Sequence, residues 1–464
     1  MIVDIVFVAF AVCGLVIFRF CQPAVAVLVV FLGGWLVLPV GHYPAGVALV
    51  EFPYWITGLA VPSDMLLTKA WVAPVVALAG ALLFDRRTLL ALRPTWLDLP
   101  IALWCLWPLA QAALTDSPRP EGWVASAYLV GCWALPWCLG RAYFSSSASG
   151  VLLARGLVIS ALACLPFSLI EGVFGPVVYE AVYEPHPFRL DGSTRYWGFR
   201  PIGFFEHGNQ FGLWLALCGL AAVWLARTAP MADLRRRRAA IAVAAVVVVT
   251  TLAAQSVGAI ALMLLGGIVL WACRYIRPRH MASAVLVLLT LGGLVYVSGA
   301  VPVMKIGRET AFGQRAVEGL RAIGRGSFAW RISQDQKLLN DVMARPVVGQ
   351  GRWDWWQAKH TRPWGFTLLA LGQFGVVALC ACLGALLWPA LRVAWRAPRA
   401  SGWQRGALSM LLASLVVLAV IDALMNSFIF FPAVLIAGAL VAAPDAARAV
   451  RGEITRVGRV PQRE

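Results

Sequence analysis

The chain has 464 residues, of which 61% are hydrophobic and only 13% charged, and its formal net charge is +17. A soluble protein carries roughly 25% charged residues, so this composition excludes a water-soluble globular enzyme and points to a polytopic helical membrane protein. The positive excess is mostly arginine in short connections, where it sets topology, so no nucleic-acid partner is expected.

Taken in order, apolar runs of spanning length fall at about 3–18, 23–41, 65–84, 96–114, 123–140, 151–174, 204–226, 239–254, 257–273, 281–298, 364–387, 406–421 and 431–447. The expected fold class is an all-α integral membrane protein of about 12–13 transmembrane helices. A large outward loop stands between the tenth and eleventh spans. The chain then divides into 1–298, with a smaller loop at 175–203, a long loop or lid at 299–363, and 364–464 with a basic tail. Arginines mark every second connection: Arg19, then Arg86, Arg87 and Arg93, then Arg141, then Arg227 and Arg235 to Arg238. The series continues at Arg274, Arg277 and Arg279, at Arg392, Arg396, Arg399 and Arg405, and in the tail from Arg448. Short basic loops mark the cytoplasm, so both large loops are expected to face outward. Met1-Ile-Val-Asp4 has no basic segment before its apolar run, which argues against a cleaved signal peptide. The ten cysteines lie in or beside apolar runs, and Cys380 and Cys382 read as buried packing.

The 175–203 loop mixes polar groups with aromatic rings: Tyr179, Tyr183, His186, Arg189, Asp191, Arg195, Tyr196, Trp197 and Arg200. Such a mixture suits a sugar-binding surface or an interfacial aromatic belt. In the long loop, Phe328, Ile332, Leu339, Val342 and Met343 follow helical spacing and predict one amphipathic helix ended by Arg345-Pro346. Arg331 and Asp335, one turn apart, have a surface pair as their structural reading. Pro346-Val-Val-Gly349-Gln-Gly351 predicts a tight turn where the backbone approaches something closely. Trp353, Trp355, Trp356, His360 and Arg362 follow.

No phosphate-binding glycine loop, dinucleotide fingerprint, HExxH or CxxC spacing occurs, so neither a metal nor a cofactor is expected. Lys69, Asp98, Glu171 and Asp422 fall near predicted span ends, which leaves no chain of midplane acids for a secondary transporter. Two outward-facing sets remain. The first is Arg200-Pro-Ile-Gly203-Phe-Phe-Glu206-His207-Gly-Asn209-Gln-Phe-Gly212. The second is Arg331 with Pro346-Val-Val-Gly349-Gln-Gly351, then His360 and Trp364-Gly-Phe-Thr through Gln373-Phe-Gly375. Together, over roughly Arg195 to Gly375, they resemble the bacterial O-antigen ligase and polymerase family, integral-membrane enzymes that handle glycans on polyprenyl diphosphate. One feature departs from that pattern. Trp364-Gly365 stands where the family has a His-Asn pair, and Gln373 stands in place of an acid. Either His360 takes over from one turn earlier, the reading adopted, or that role is lost.

The resemblance implies a metal-independent, inverting glycosyl transfer in an outward cavity, facing the periplasm of a bacterial inner membrane. It implies catalytic roles for Arg200, Arg331 and His360, and substrate binding by His207, Asn209, Arg345, Arg352 and Trp364. Each also has a structural reading: Arg200 as interfacial anchor, Arg331 as solvated helix residue, His360 as interfacial histidine and His207 as a helix cap. The implied donor is an undecaprenyl-diphosphate-linked glycan. The implied acceptor is a lipid-linked repeat unit, for a polymerase of exopolysaccharide or O-antigen, or lipid A core, for a ligase. A chain-length regulator and a flippase are the expected partners. The competing class is a polysaccharide flippase, exporter or assembly scaffold, against which stands the absence of internal symmetry.

Overall fold

A computed structural model describes residues 2–41, 58–59, 67–115, 119–183, 186, 193–230, 233–298, 303–322, 326–399, 402–404, 407–424 and 426–442. Arg189, Asp191, Arg325 and the basic tail lie outside the described residues. A helix occupies each of the thirteen apolar segments. Among the described residues seven helices are long and apolar enough to cross a membrane: Ile2–Phe20, Trp96–Leu114, Glu121–Tyr143, Ser147–Phe174, Gly208–Thr228, Pro278–Ser298 and Phe366–Arg396. Four shorter apolar helices accompany them. Among the described residues there is no strand beyond two isolated bridges. This is an all-α membrane protein, as lipid requires of a chain whose backbone must bond within itself.

The Gly208–Thr228 helix is the axis of the bundle, buried along nearly its whole length. Helices Leu135–Tyr143 and Pro432–Val441 cross so closely that a Cβ on Gly140 would meet the Leu435 carbonyl, and one on Gly438 the Trp137 carbonyl. Small residues at a crossing let two membrane helices gain van der Waals contact where no hydrophobic force separates protein from lipid.

The two ends of the bundle differ in chemistry. At one end Trp224 Nε1 donates to the Gly402 carbonyl at 2.9 Å, Arg227 lies over the Trp403 ring and Arg392 bonds the Val441 carbonyl. At the other end both large loops meet the starts of helices Gly208–Thr228 and Phe366–Arg396. The two loops therefore lie at the same end of the bundle, where Asn209 and Arg331 both bond Asn426.

Two expectations for the long loop need correction. The single helix expected over 328–343 is two, Gly326–Gln336 and Leu339–Ala344, separated by a turn that sends Leu338 and Leu339 inward. Both leucines are buried at the break, Leu338 at 0% and Leu339 at 9% exposed. Asp335 is 1% exposed and not a surface partner. Among the cysteines, Cys382 is buried but Cys380 faces outward.

The tight turn does approach something: a break in its own downstream span. The Phe366–Arg396 helix is interrupted at Gly375, with φ 81°. An interrupted helix exposes carbonyls and amides that lipid cannot satisfy. Here Gln350 N–H bonds the Gly372 carbonyl at 2.8 Å, Gly351 N–H bonds Gln373 at 3.0 Å, and Val376 N–H bonds Pro346 at 2.8 Å. From the Leu99–Leu114 helix, Trp107 Nε1 reaches the Phe374 carbonyl at 2.7 Å and Gln111 Nε2 reaches those of Gln373 and Val348. The Gly372, Gln373 and Phe374 carbonyls and the Val376 amide thus have partners outside the helix, most of them from Pro346–Gly351.

Candidate functional site

His207 stands where the bundle and the loops meet. It precedes the Gly208–Thr228 helix as its N-cap, its Nδ1 accepting the Asn209 N–H at 2.9 Å. A ring nitrogen thus satisfies an orphan amide of the first turn in place of the usual short oxygen. Glu206 and His207 lie outside the span that follows. Because Nδ1 accepts, the proton of the neutral ring is assigned to Nε2. The ring stacks on Phe428, centroids 4.8 Å apart. Burial first, then the positive fields of Arg200, Arg331, Arg362 and lastly His186, hold the imidazole well below the usual histidine range. His207 is therefore a neutral hydrogen-bond donor. Protonating Nδ1 would also remove the helix cap, so a base role does not suit it.

Asn426 joins the pieces. Its backbone carbonyl accepts the Phe366 N–H at 3.0 Å, at the start of the broken helix. Its side-chain Oδ1 accepts Arg331 Nη1 at 2.6 Å and Asn209 Nδ2 at 3.4 Å, while its Nδ2 donates to Asp422 at 2.8 Å. Arg331 is thereby held over Asn209, and its guanidinium lies 5.3 Å from the centre of the Trp364 ring. Arg362 stacks on the same ring at 3.9 Å. Arginine's flat, weakly hydrated head suits this stacking. The buried Trp364 Nε1 has no hydrogen-bond partner among the described residues. Arg200 follows a short hairpin bridged at Thr194 and Phe199, and its side chain lies across Gly208, where a Cβ would sit 2.7 Å from the Arg200 Cγ.

Asp335 aligns the arginine pair. Its carboxylate accepts the Tyr296 hydroxyl and the Trp364 N–H, each at 2.8 Å, so it ties the loop to the Pro278–Ser298 helix and places Trp364 beside Arg331. Burial pushes the carboxyl up to about 6, against the opposing pull of the Trp364 amide, the Tyr296 hydroxyl and Arg331. A carboxyl raised above its unfolded value contributes stability that is full below the unfolded pKa and is lost as pH rises through the folded one. Wild type should therefore lose up to about 3 kcal/mol through this group between roughly pH 4 and 7. Thermal unfolding of wild type and Asp335→Asn across that range checks it: the wild type's relative advantage should shrink toward neutral pH. A constant difference would show that Asp335 does not titrate there.

The structure brings together Arg200, His207, Asn209, Arg331 and Trp364, as the motifs suggest. It does not bring in Arg345, which ends helix Leu339–Ala344 and is exposed. Arg352 forms two bonds with Asp354 on the surface, at 2.9 and 2.8 Å. His360 is exposed and left-handed, with φ 49°, capping the Gln357–Lys359 turn. In the smaller loop Tyr179, Tyr183 and His186 are buried packing, and among its described aromatic residues only Tyr196 and Trp197 are exposed. Sequence reasoning missed Asn426 and passed over Asp422 and Arg362 as site residues. Asp422 and Asn426 lie four apart in an otherwise apolar stretch, and that isolation was the available signal. Among the described residues no three His, Cys, Asp or Glu side chains converge as a metal site. Comparison with known proteins returns no matching family model and no matching curated protein.

Proposed function

We propose that the chain transfers a glycan from a polyprenyl diphosphate donor to a sugar hydroxyl of a lipid-linked repeat unit, extending a polysaccharide at the outer face of a bacterial inner membrane. The observation that carries this reading is the convergence of Arg200, Arg331 and Arg362 on His207, beside an unpartnered Trp364 indole N–H, at one end of a membrane bundle. In such a transfer the acceptor oxygen bonds the anomeric carbon, the bond from that carbon to phosphate breaks, and the lipid diphosphate leaves with the electron pair. The developing charge needs fixed cations and N–H donors in a site of low dielectric. Arginine forks bind phosphate oxygens in pairs, and Nε2–H of neutral His207 supplies a further donor. The resemblance gives removal of the acceptor proton to His360, which would have to come over the cluster with its loop.

Purified protein in lipid nanodiscs, given a polyprenyl-diphosphate repeat unit, should form a ladder of longer products. Absence of any product with either a repeat unit or lipid A core as acceptor would overturn the reading. The facing of the site is checked separately, in a cysteine-free background in intact cells. A cysteine at Lys337 should react with a membrane-impermeant maleimide, and cysteines at Arg238 and Arg396 should be protected. The reverse pattern would put the cluster in the cytoplasm.

A further inference from the structure

From Ile202 to Glu206 the chain is pinned residue by residue, and each pin is a buried ionisable side chain from elsewhere. Glu171 accepts the N–H groups of Ile202 and Gly203 at 2.6 and 2.7 Å. Lys69 Nζ donates to the Phe204 carbonyl at 2.6 Å, His186 Nε2 meets the Phe205 carbonyl at 2.9 Å, and Lys69 pairs with the Glu206 carboxylate at 3.5 Å. Lys69 opens the Lys69–Leu90 helix, and its ammonium lies 5.0 Å from the Trp35 ring and 5.1 Å from the Phe205 ring. It is 0% exposed and its partner Glu206 is 1% exposed. A lysine at a helix end in a membrane ordinarily runs its head out to water. A buried ion pair adds little net stability over apolar packing. What this pair supplies is geometry, because both polar contacts of Lys69 fall on the turn that ends at His207.

We infer that Lys69 is a positioning residue, fixing the Phe204–Glu206 turn so that His207 keeps its Nδ1 on the Asn209 amide and its ring beside the arginine cluster. The inference rests on the site proposed above, so its test uses a readout that needs no turnover. Nitrogen-15 histidine spectra in nanodiscs should show His207, assigned by its loss in His207→Gln, as a single Nε2–H tautomer in wild type. Lys69→Met leaves a buried, uncompensated carboxylate and risks misfolding. The paired variant Lys69→Met/Glu206→Gln removes both charges, a change buried pairs often tolerate. In that variant the His207 signal should move to mixed tautomers. Turnover should fall at least about tenfold with half-saturating donor within about threefold, the signature of lost orientation. An unchanged His207 spectrum in the folded paired variant overturns the inference, and so does a shifted spectrum with unchanged turnover. If wild type transfers no glycan, the proposed function fails while the spectrum alone still decides whether Lys69 positions His207.

Discussion

Arg331→Ala should lower glycan transfer by about ten- to a hundredfold while leaving the protein folded in the membrane. The magnitude follows from losing one charge-assisted contact of about 1.5–3 kcal/mol to the leaving diphosphate, converted through the transition-state relation. Arg331 is the appropriate target because its own scaffold survives the change. Asn426 would still accept from Asn209 and still bond the Phe366 amide and Asp422. Arg331→Lys should recover little, since a point charge neither stacks on Trp364 nor forks to two oxygens. Product ladders from equal amounts of each variant make the measurement. Activity within about twofold of wild type in the alanine variant, too small a change for a lost ionic contact, would return Arg331 to a helix-surface role.

Gly349→Ala should cost most of the fold at the site end. Gly349 has φ 81°, and a Cβ there would sit 2.5 Å from the Gln373 carbonyl oxygen and 2.5 Å from the Gly375 amide nitrogen. Both obstacles are backbone, and both belong to the broken span. The left-handed conformation alone costs an alanine about 1–3 kcal/mol, and moving the Pro346–Gly351 strap away unpairs amides and carbonyls that lipid cannot serve. Gly33→Ala is the matched control, because no atom lies within 4 Å of its Cβ and alanine favours a helix. Thermal unfolding in detergent should show a large drop for Gly349→Ala and none for Gly33→Ala. Equal melting of the two would mean that the strap is not needed to seal the break.

The bundle was legible because each span buries or exposes apolar surface along its whole length, a signal that survives errors of several residues. The site was legible in part. Arg200, His207, Asn209 and Arg331 sit in short motifs whose glycines and prolines announce close backbone approach. Asn426 was not legible, because it meets Asn209 across 217 residues and Arg331 across 95. Nothing local in the sequence says which ends of which helices will touch. Lys69 read as an ordinary residue near a span end for the same reason: its partners Phe204 and Glu206 are over 130 residues away. The histidines show the limit of spacing arguments. His360 lies nearest the family's slot in sequence but is exposed, whereas Trp364, in the slot itself, is the ring on which Arg331 and Arg362 rest.

The break at Gly375 has a consequence for the order of manufacture. A ribosome delivers Pro346–Gly351 before Gly372–Val376, so the strap has already been made when the interrupted helix reaches the insertion machinery. The helix then meets a waiting set of donors and acceptors and need not pass through lipid with bare carbonyls. Had the strap come from the C-terminal side, the span would have been laid down incomplete and repaired later. By the same logic, a gene split between 351 and 366 should yield two fragments of which only the first inserts well alone, and the second should settle in the membrane only when the first is already there.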